Sequence, residues 1–197
     1  LVGSEMCIRD SAITDKTILI SVMFANNEIG TIEPVREIGE IAHKHGILFH
    51  TDAVQAMCHV PINVTEMNID LLSASGHKFN GPKGVGFMYM KNTAKLEPFI
   101  HGGAQERARR AGTSNVPGIV GMGQAVKLAL GTLDKDTHTI INMRNYIVDR
   151  ILGEIPDVTF DGPCIDADAY VNAVSVGLPM CLSLIHISEP TRPRLIS

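Results

Sequence analysis

The 197-residue chain is 45% hydrophobic and 19% charged, with a formal net charge of −4. That balance suits a packed core and excludes a disordered chain. No Lys/Arg run is dense enough for a nucleic-acid surface. The longest apolar stretch, "TILISVMFA", is far too short to cross a bilayer, and four cysteines without CxxC spacing point to a reduced, cytoplasmic setting.

The ends read differently from the middle. "LVGSEMCIRDS" opens the chain without the charged and apolar regions of a signal peptide. "CLSLIHISEPTRPRLIS" closes it without periodicity. Both resemble translated sequencing-library adapter, so residues 1–11 and 180–197 are expected to be non-native, exposed tails around a native piece of about residues 12–179.

Between them, strand and helix patterns alternate. "TILISVMF" (17–24) is a continuous apolar run of strand length. After the polar "ANNEIG", Pro34 suits a helix first turn, and Val35, Ile38, Ile41 and Ala42 recur at helical spacing until "HKHG" ends the run. "ILFHT" (47–51), "DLLSAS" (70–75) and "VGFMYM" (85–90) read as further strands. A helix is predicted from about Pro117 to Leu133. Its "GIVGMG" lacks the preceding strand of a dinucleotide loop and reads as glycines for close packing. A second helix is predicted from about Thr137 to Ile155, then strands at "DVTF" and "NAVSVGL". The order implies an α/β fold with a largely parallel sheet. Residues 12–133 would form part of a large domain. Residues 134–179 would form a connecting helix and the start of a small domain.

In open α/β sheets, ligands bind beyond the carboxyl ends of the strands. Polar clusters fall there after three successive strands: Asn26 and Asn27, then Asp52 and Gln55, then Ser75, His77 and Lys78. A lysine at a buried strand end would have its charged form disfavoured, and a neutral amine is nucleophilic toward aldehydes. A carboxylate can hold a proton on a pyridine nitrogen and make the ring an electron sink. Hydroxyl and imidazole groups suit a phosphate. Each residue also has a plainer reading. Asp52 and Gln55 suit a turn and helix cap, His77 a core histidine, and Arg107, Arg109 and Arg110 a solvated charged face. His43, His45, His50 and His59 lack metal-ligand spacing and read as helix-end and surface residues; no metal site is predicted. Cys58 reads as a small buried residue.

"NNEIG", "TDAVQ", "SASGHKFNGPKGVG" and "GGAQERARRAGT", in that order, resemble the cysteine desulfurases. These are pyridoxal 5'-phosphate enzymes of the class V aminotransferase group with fold-type I architecture. The resemblance covers nearly all of residues 12–179 and implies a role for each matching position. Lys78 would hold the cofactor covalently and move the substrate α-proton. Asp52 would pair with the pyridine nitrogen, and Gln55 would bond the phenolic oxygen. Asn27 would orient cofactor and substrate, and Ser75 and His77 would contact the phosphate. Thr113 would reach a phosphate in the other subunit of a homodimer. Arg107 and Arg110 become candidates for that interface.

The substrate implied is L-cysteine, converted to L-alanine, with sulfur passed through an enzyme persulfide to an acceptor such as an iron–sulfur scaffold protein. A selenocysteine lyase or transaminase of the same group is the alternative within the class, and a non-catalytic truncated chain the alternative outside it. The phosphate loop and ring-stacking histidine of the family would lie before residue 12. Its catalytic cysteine and substrate-clamping arginine would lie beyond "NAVSV". Neither Cys58 nor Cys164 matches the catalytic position, so the chain alone is expected to be inactive and to hold the cofactor weakly or not at all.

Overall fold

The computed structural model describes residues 12–28, 30–156, 158–161 and 175–177. The expected tails at 1–11 and 180–197, and Cys164, lie outside them. The chain divides into two compact units. One comprises residues up to Ala25 with Glu33–Lys135, and the other Asn26–Ile32 with residues from Asp136 onward.

The first unit is built on a four-stranded sheet in the order β1 (Leu19–Met23), β2 (Leu48–Asp52), β3 (Leu71–Ser75), β4 (Gly86–Met90). β1, β2 and β3 run parallel, with Met23 and Ser73 flanking Asp52 in register. β4 returns antiparallel to β3, pairing Ser75 with Gly86. Residues 76–85 are fewer than the dozen or more that a parallel crossover needs, so the chain can only double back.

Helix α1 (Val35–Lys44) joins β1 to β2 and lies against β2. Its apolar spacing turns Val35, Ile38 and Ala42 inward, and its last turn carries His43 and Lys44, cations that suit a helix C-terminus. Gly46, at φ 69°, then reverses the chain in the left-handed conformation that glycine adopts without penalty. Gly39 lets the helix approach the loop before β3. A Cβ there would stand 2.3 Å from the Met67 carbonyl oxygen.

β2 alternates cleanly. Phe49 and Thr51 are fully buried, whereas His50 and Asp52 lie on the opposite face. A second cluster packs Cys58 and Phe79 against Met122 and Ala125, with Met57, Val85 and Phe87 around them.

Helix α2 runs unbroken from Val116 to Glu154, where the sequence predicts two helices. The segment "LGTLDKDTHT" between them contains no proline, and one glycine costs a helix only about 1 kcal/mol. Part of α2 is apolar and long enough to cross a bilayer by composition. Met122 and Ala125 belong to the core cluster, whereas Ile119, Val120, Leu128 and Leu130 of the same helix are exposed. In the second unit, Thr159–Asp161 (β5) pairs antiparallel with Ser175–Gly177 (β6), where "DVTF" and "NAVSVGL" predict strands.

Candidate active site

The carboxyl ends of β2 and β3 carry Asp52 and Ser75. Asp52 is level with Ser73, so its Cα and that of Ser75 are about 8 Å apart, from ~4.8 Å between strands and ~3.3 Å per residue. The backbone of Asp52 is held from both sides. Its carbonyl accepts from the Phe24 N–H (2.8 Å), and the next residue, Ala53, donates to the Ser73 carbonyl (2.9 Å). The carboxylate is exposed, and its Oδ1 accepts from the Val54 N–H at 3.0 Å. The turn-forming role expected of an aspartate is therefore real, and it engages Oδ1. Among the described residues Asp52 has no ion-pair partner.

Two residues back on the same face, the His50 ring spans three strands. Its Nδ1 lies 2.7 Å from Ser21 Oγ on β1, and its Nε2 lies 3.2 Å from Ser73 Oγ on β3. Burial pushes the imidazole below its usual range, and the Asp52 carboxylate, pulling upward, only partly offsets this. His50 is thus a half-buried bridge within the sheet and not the surface residue that the sequence predicts. The spacing His50-Thr51-Asp52 could have revealed it, because residues i and i+2 of a strand share a face.

Beyond β3 the chain enters a single 3-10 turn, Gly76–Phe79, which Asn80 ends in the left-handed conformation (φ 62°). Ser75 Oγ and His77 Nδ1 are 2.7 Å apart at its start. Phe79 is buried at its end, whereas Lys78 is exposed. The sequence argument expects a desolvated amine at a buried strand end. The lysine instead lies past the sheet, on a turn whose inward position is taken by Phe79. Its amine has no ion-pair partner among the described residues. Its carbonyl oxygen accepts from His59 Nε2 at 3.0 Å, a second histidine read from sequence as a surface residue.

Gln55 is half-buried in the turn that follows β2. Thr113 is exposed and follows Gly112 (φ 101°). Its loop is braced by the Gly112 N–H donating to Gln105 Oε1 (3.1 Å) and by Ser114 Oγ donating to Glu106 Oε1 (2.8 Å). Glu106, Arg107 and Ala108 there all have positive φ. Arg107, Arg109 and Arg110 are exposed, in keeping with their plainer reading. Asn27 lies in the second unit, exposed, beside a turn in which Asn26 Oδ1 accepts from the Glu28 N–H (2.8 Å). The structure therefore gathers Asp52, Gln55, Ser75, His77 and Lys78 at neighbouring strand ends of one unit. Thr113 stands on a separate loop, and Asn27 in the other unit. Among the described residues no cluster of His, Cys, Asp or Glu has metal-site geometry. Cys58 is a buried free thiol whose pKa burial pushes up.

A mostly parallel sheet with an amine, a carboxylate and a hydroxyl–imidazole pair at its strand ends has the fold of the fold-type I pyridoxal-phosphate enzymes. The chain belongs to the aminotransferase class-V family, which it matches over residues 4–181. It is 57% identical over 152 residues to the cysteine desulfurase IscS of Methanosarcina thermophila, across 77% of this chain and 37% of that protein. Among solved structures it resembles a NifS-like protein (TM-score 0.82, 36% identity, 88% of this chain and 47% of that one). It also resembles SspA in complex with cysteine (TM-score 0.66, 37% identity, 81% and 45%). The chain thus spans less than half the length of each of these relatives.

Pyridoxal phosphate is the cofactor that this family implies, and the donor set fits it. A lysine amine and a carboxylate, each without an ionic partner among the described residues, stand beside the Ser75–His77 pair. Each has a group on the cofactor to complement: the aldehyde, the pyridine nitrogen and the phosphate.

Proposed function

We propose that this chain is the cofactor-holding part of a cysteine desulfurase that converts L-cysteine to L-alanine and passes the sulfur to an acceptor protein serving iron–sulfur cluster assembly. The observation that carries the reading is the amine of Lys78. It is exposed on a fixed turn at the carboxyl end of β3, next to the strand end that presents Asp52. When bound, pyridoxal phosphate supplies an electron sink for charge developing at the substrate's α-carbon. Lys78 holds the cofactor covalently and carries the α-proton between positions. Asp52 keeps a proton on the pyridine nitrogen. Ser75 and His77 contact the phosphate, Gln55 the phenolic oxygen, and Asn27 orients cofactor and substrate.

The family match and the identity to IscS support the reaction class, and the relative captured with cysteine supports the substrate. Thr113 is exposed, which suits a homodimer in which it serves the phosphate of the other copy. The free thiol of Cys58 accords with a reducing cytoplasm. The domain division proposed is a large cofactor domain through residue 133, followed by a connecting helix and the start of a small domain.

The test is reduction with borohydride after incubation with pyridoxal phosphate, followed by peptide mapping. The pyridoxyl group is expected on Lys78. Label on Lys83 or Lys91 in its place would refute the assignment.

A further inference from the structure

The geometry points to His59 as a positioning residue for Lys78: its Nε2–H, donated to the Lys78 carbonyl oxygen, locks the lysine-bearing turn to the turn that follows Asp52. The inference rests on the reading of Lys78 given above.

A carbonyl oxygen can only accept, so in the 3.0 Å contact His59 Nε2 is the donor. The carbonyl it meets lies in the last half of a four-residue 3-10 turn. Final carbonyls of a helical turn lack partners within it and must find one elsewhere. The ring is aimed from both sides. Its own backbone N–H donates to the Ala56 carbonyl (3.0 Å). The residue before it, Cys58, has φ 63°, a left-handed conformation that costs a non-glycine residue on the order of 1 kcal/mol. Cys58 holds that conformation while buried in one apolar cluster with Phe79. Residues 58 and 79 are thus packed together, and their neighbours 59 and 78 are hydrogen-bonded alongside. Gly76 closes the other end of the turn. A Cβ there would meet the Val85 carbonyl oxygen at 3.1 Å and Met122 Cγ at 3.3 Å.

This clamp adds a directed hydrogen bond to the Cys58–Phe79 packing between two loops: residues 53–60, bearing Gln55, and residues 76–81, bearing Lys78. A covalent cofactor bond demands a fixed amine, and small misplacements of a reacting group are costly. The chain exposes Lys78 and fixes its backbone instead of burying its side chain, and His59 is a side chain that does the fixing.

The test compares His59→Gln, which keeps a side-chain N–H donor, with His59→Glu, which is of similar size and, ionised, can only accept. His59→Ala, which can neither donate nor accept, replaces the glutamate variant if that variant does not fold. Two quantities are read on the full 197-residue chain: amide hydrogen exchange of residues 76–81 without cofactor, and the rate of borohydride-trapped labelling at Lys78 with pyridoxal phosphate. His59→Glu is expected to speed exchange in 76–81 about fivefold to tenfold, the worth of one hydrogen bond. Exchange in 48–52 should not change, and labelling at Lys78 should slow by a similar factor. His59→Gln is expected to restore both. Equal behaviour of the two variants, or exchange that rises equally in 48–52, would overturn the proposal. If the unmutated chain is labelled at Lys83 or Lys91 and not at Lys78 while exchange responds as expected, the functional reading fails and the clamp stands. If Lys78 is labelled equally fast in all variants, the clamp fails and the functional reading stands.

Discussion

Thr51 and Asp52 are neighbours with opposite fates, because a strand alternates its faces. Asp52 is exposed at the sheet's end. Thr51 is wholly buried, and its Oγ1 has no hydrogen-bond partner among the described residues. A buried hydroxyl left unpaired costs about 1–3 kcal/mol relative to an apolar group. Thr51→Val removes that cost while keeping the branched shape that a strand favours. The variant is expected to be more stable by about 1 kcal/mol, seen as a higher urea midpoint at unchanged slope. A lower midpoint would mean that the hydroxyl is hydrogen-bonded in solution. The same alternation made part of the site legible in sequence. Asp52 and Ser75 could be placed at strand ends because "ILFHT" and "DLLSAS" are unambiguous strand runs, whereas the exposed turn that carries Lys78 could not. The two histidines could not be placed so well. The partners of His50, Ser21 and Ser73, lie on other strands, and that of His59 is a backbone carbonyl 19 residues away. Contacts of that kind depend on register and turn geometry, which no local pattern encodes.

At the scale of elements, α2 tests what glycine does in a helix. Gly131 faces open space, with nothing within 4 Å of an added Cβ, whereas a Cβ on Gly121 would stand 2.8 Å from Pro82 Cγ. Gly131→Ala is therefore expected to stabilise the chain by about 0.5–1 kcal/mol, the difference in helix propensity. Gly121→Ala is expected to gain the same propensity and lose more through overpacking, for a net loss of about 1 kcal/mol or more. Thermal or urea unfolding of the pair checks this. Stabilisation by both would show that the Pro82 contact yields easily. "GIVGMG" is legible as a packing motif in Gly121 and not in Gly123, which also faces open space. The break predicted between two helices falls beside Gly131 in a polar stretch that the helix crosses. Only proline or a true cap would have carried it. The antiparallel β4, by contrast, follows from the short return "GHKFNGPKGV" alone.

At the scale of the whole sheet-bearing unit, one carboxylate connects most of the elements. Asp70 is buried just before β3. Its Oδ2 accepts from the Phe49 N–H of β2 (3.0 Å) and meets His43 Nε2 of α1 (2.9 Å), and its Oδ1 lies 3.2 Å from Lys91 Nζ, just after β4. Burial alone would raise its pKa. The Phe49 N–H, His43 and Lys91 together outweigh that and hold the carboxyl below its ordinary range. A folded-state value below the unfolded one, about 3.9 for aspartate, means that the charged form is favoured by folding. The stabilisation is complete above the unfolded value and is lost as pH falls through the folded one. Asp70 is buried but His43 and Lys91 are partly exposed, so the loss is that of hydrogen bonds to a charged group, and Asp70→Asn is expected to destabilise the chain by about 2 kcal/mol at pH 7. The gap between the two proteins should narrow in acid solution, as pH falls below about 5 and the native carboxyl protonates. Urea midpoints measured from pH 7 down to pH 3 decide it. A gap that stays constant over the whole range would mean that the cluster acts through shape and hydrogen bonding, with no contribution from charge.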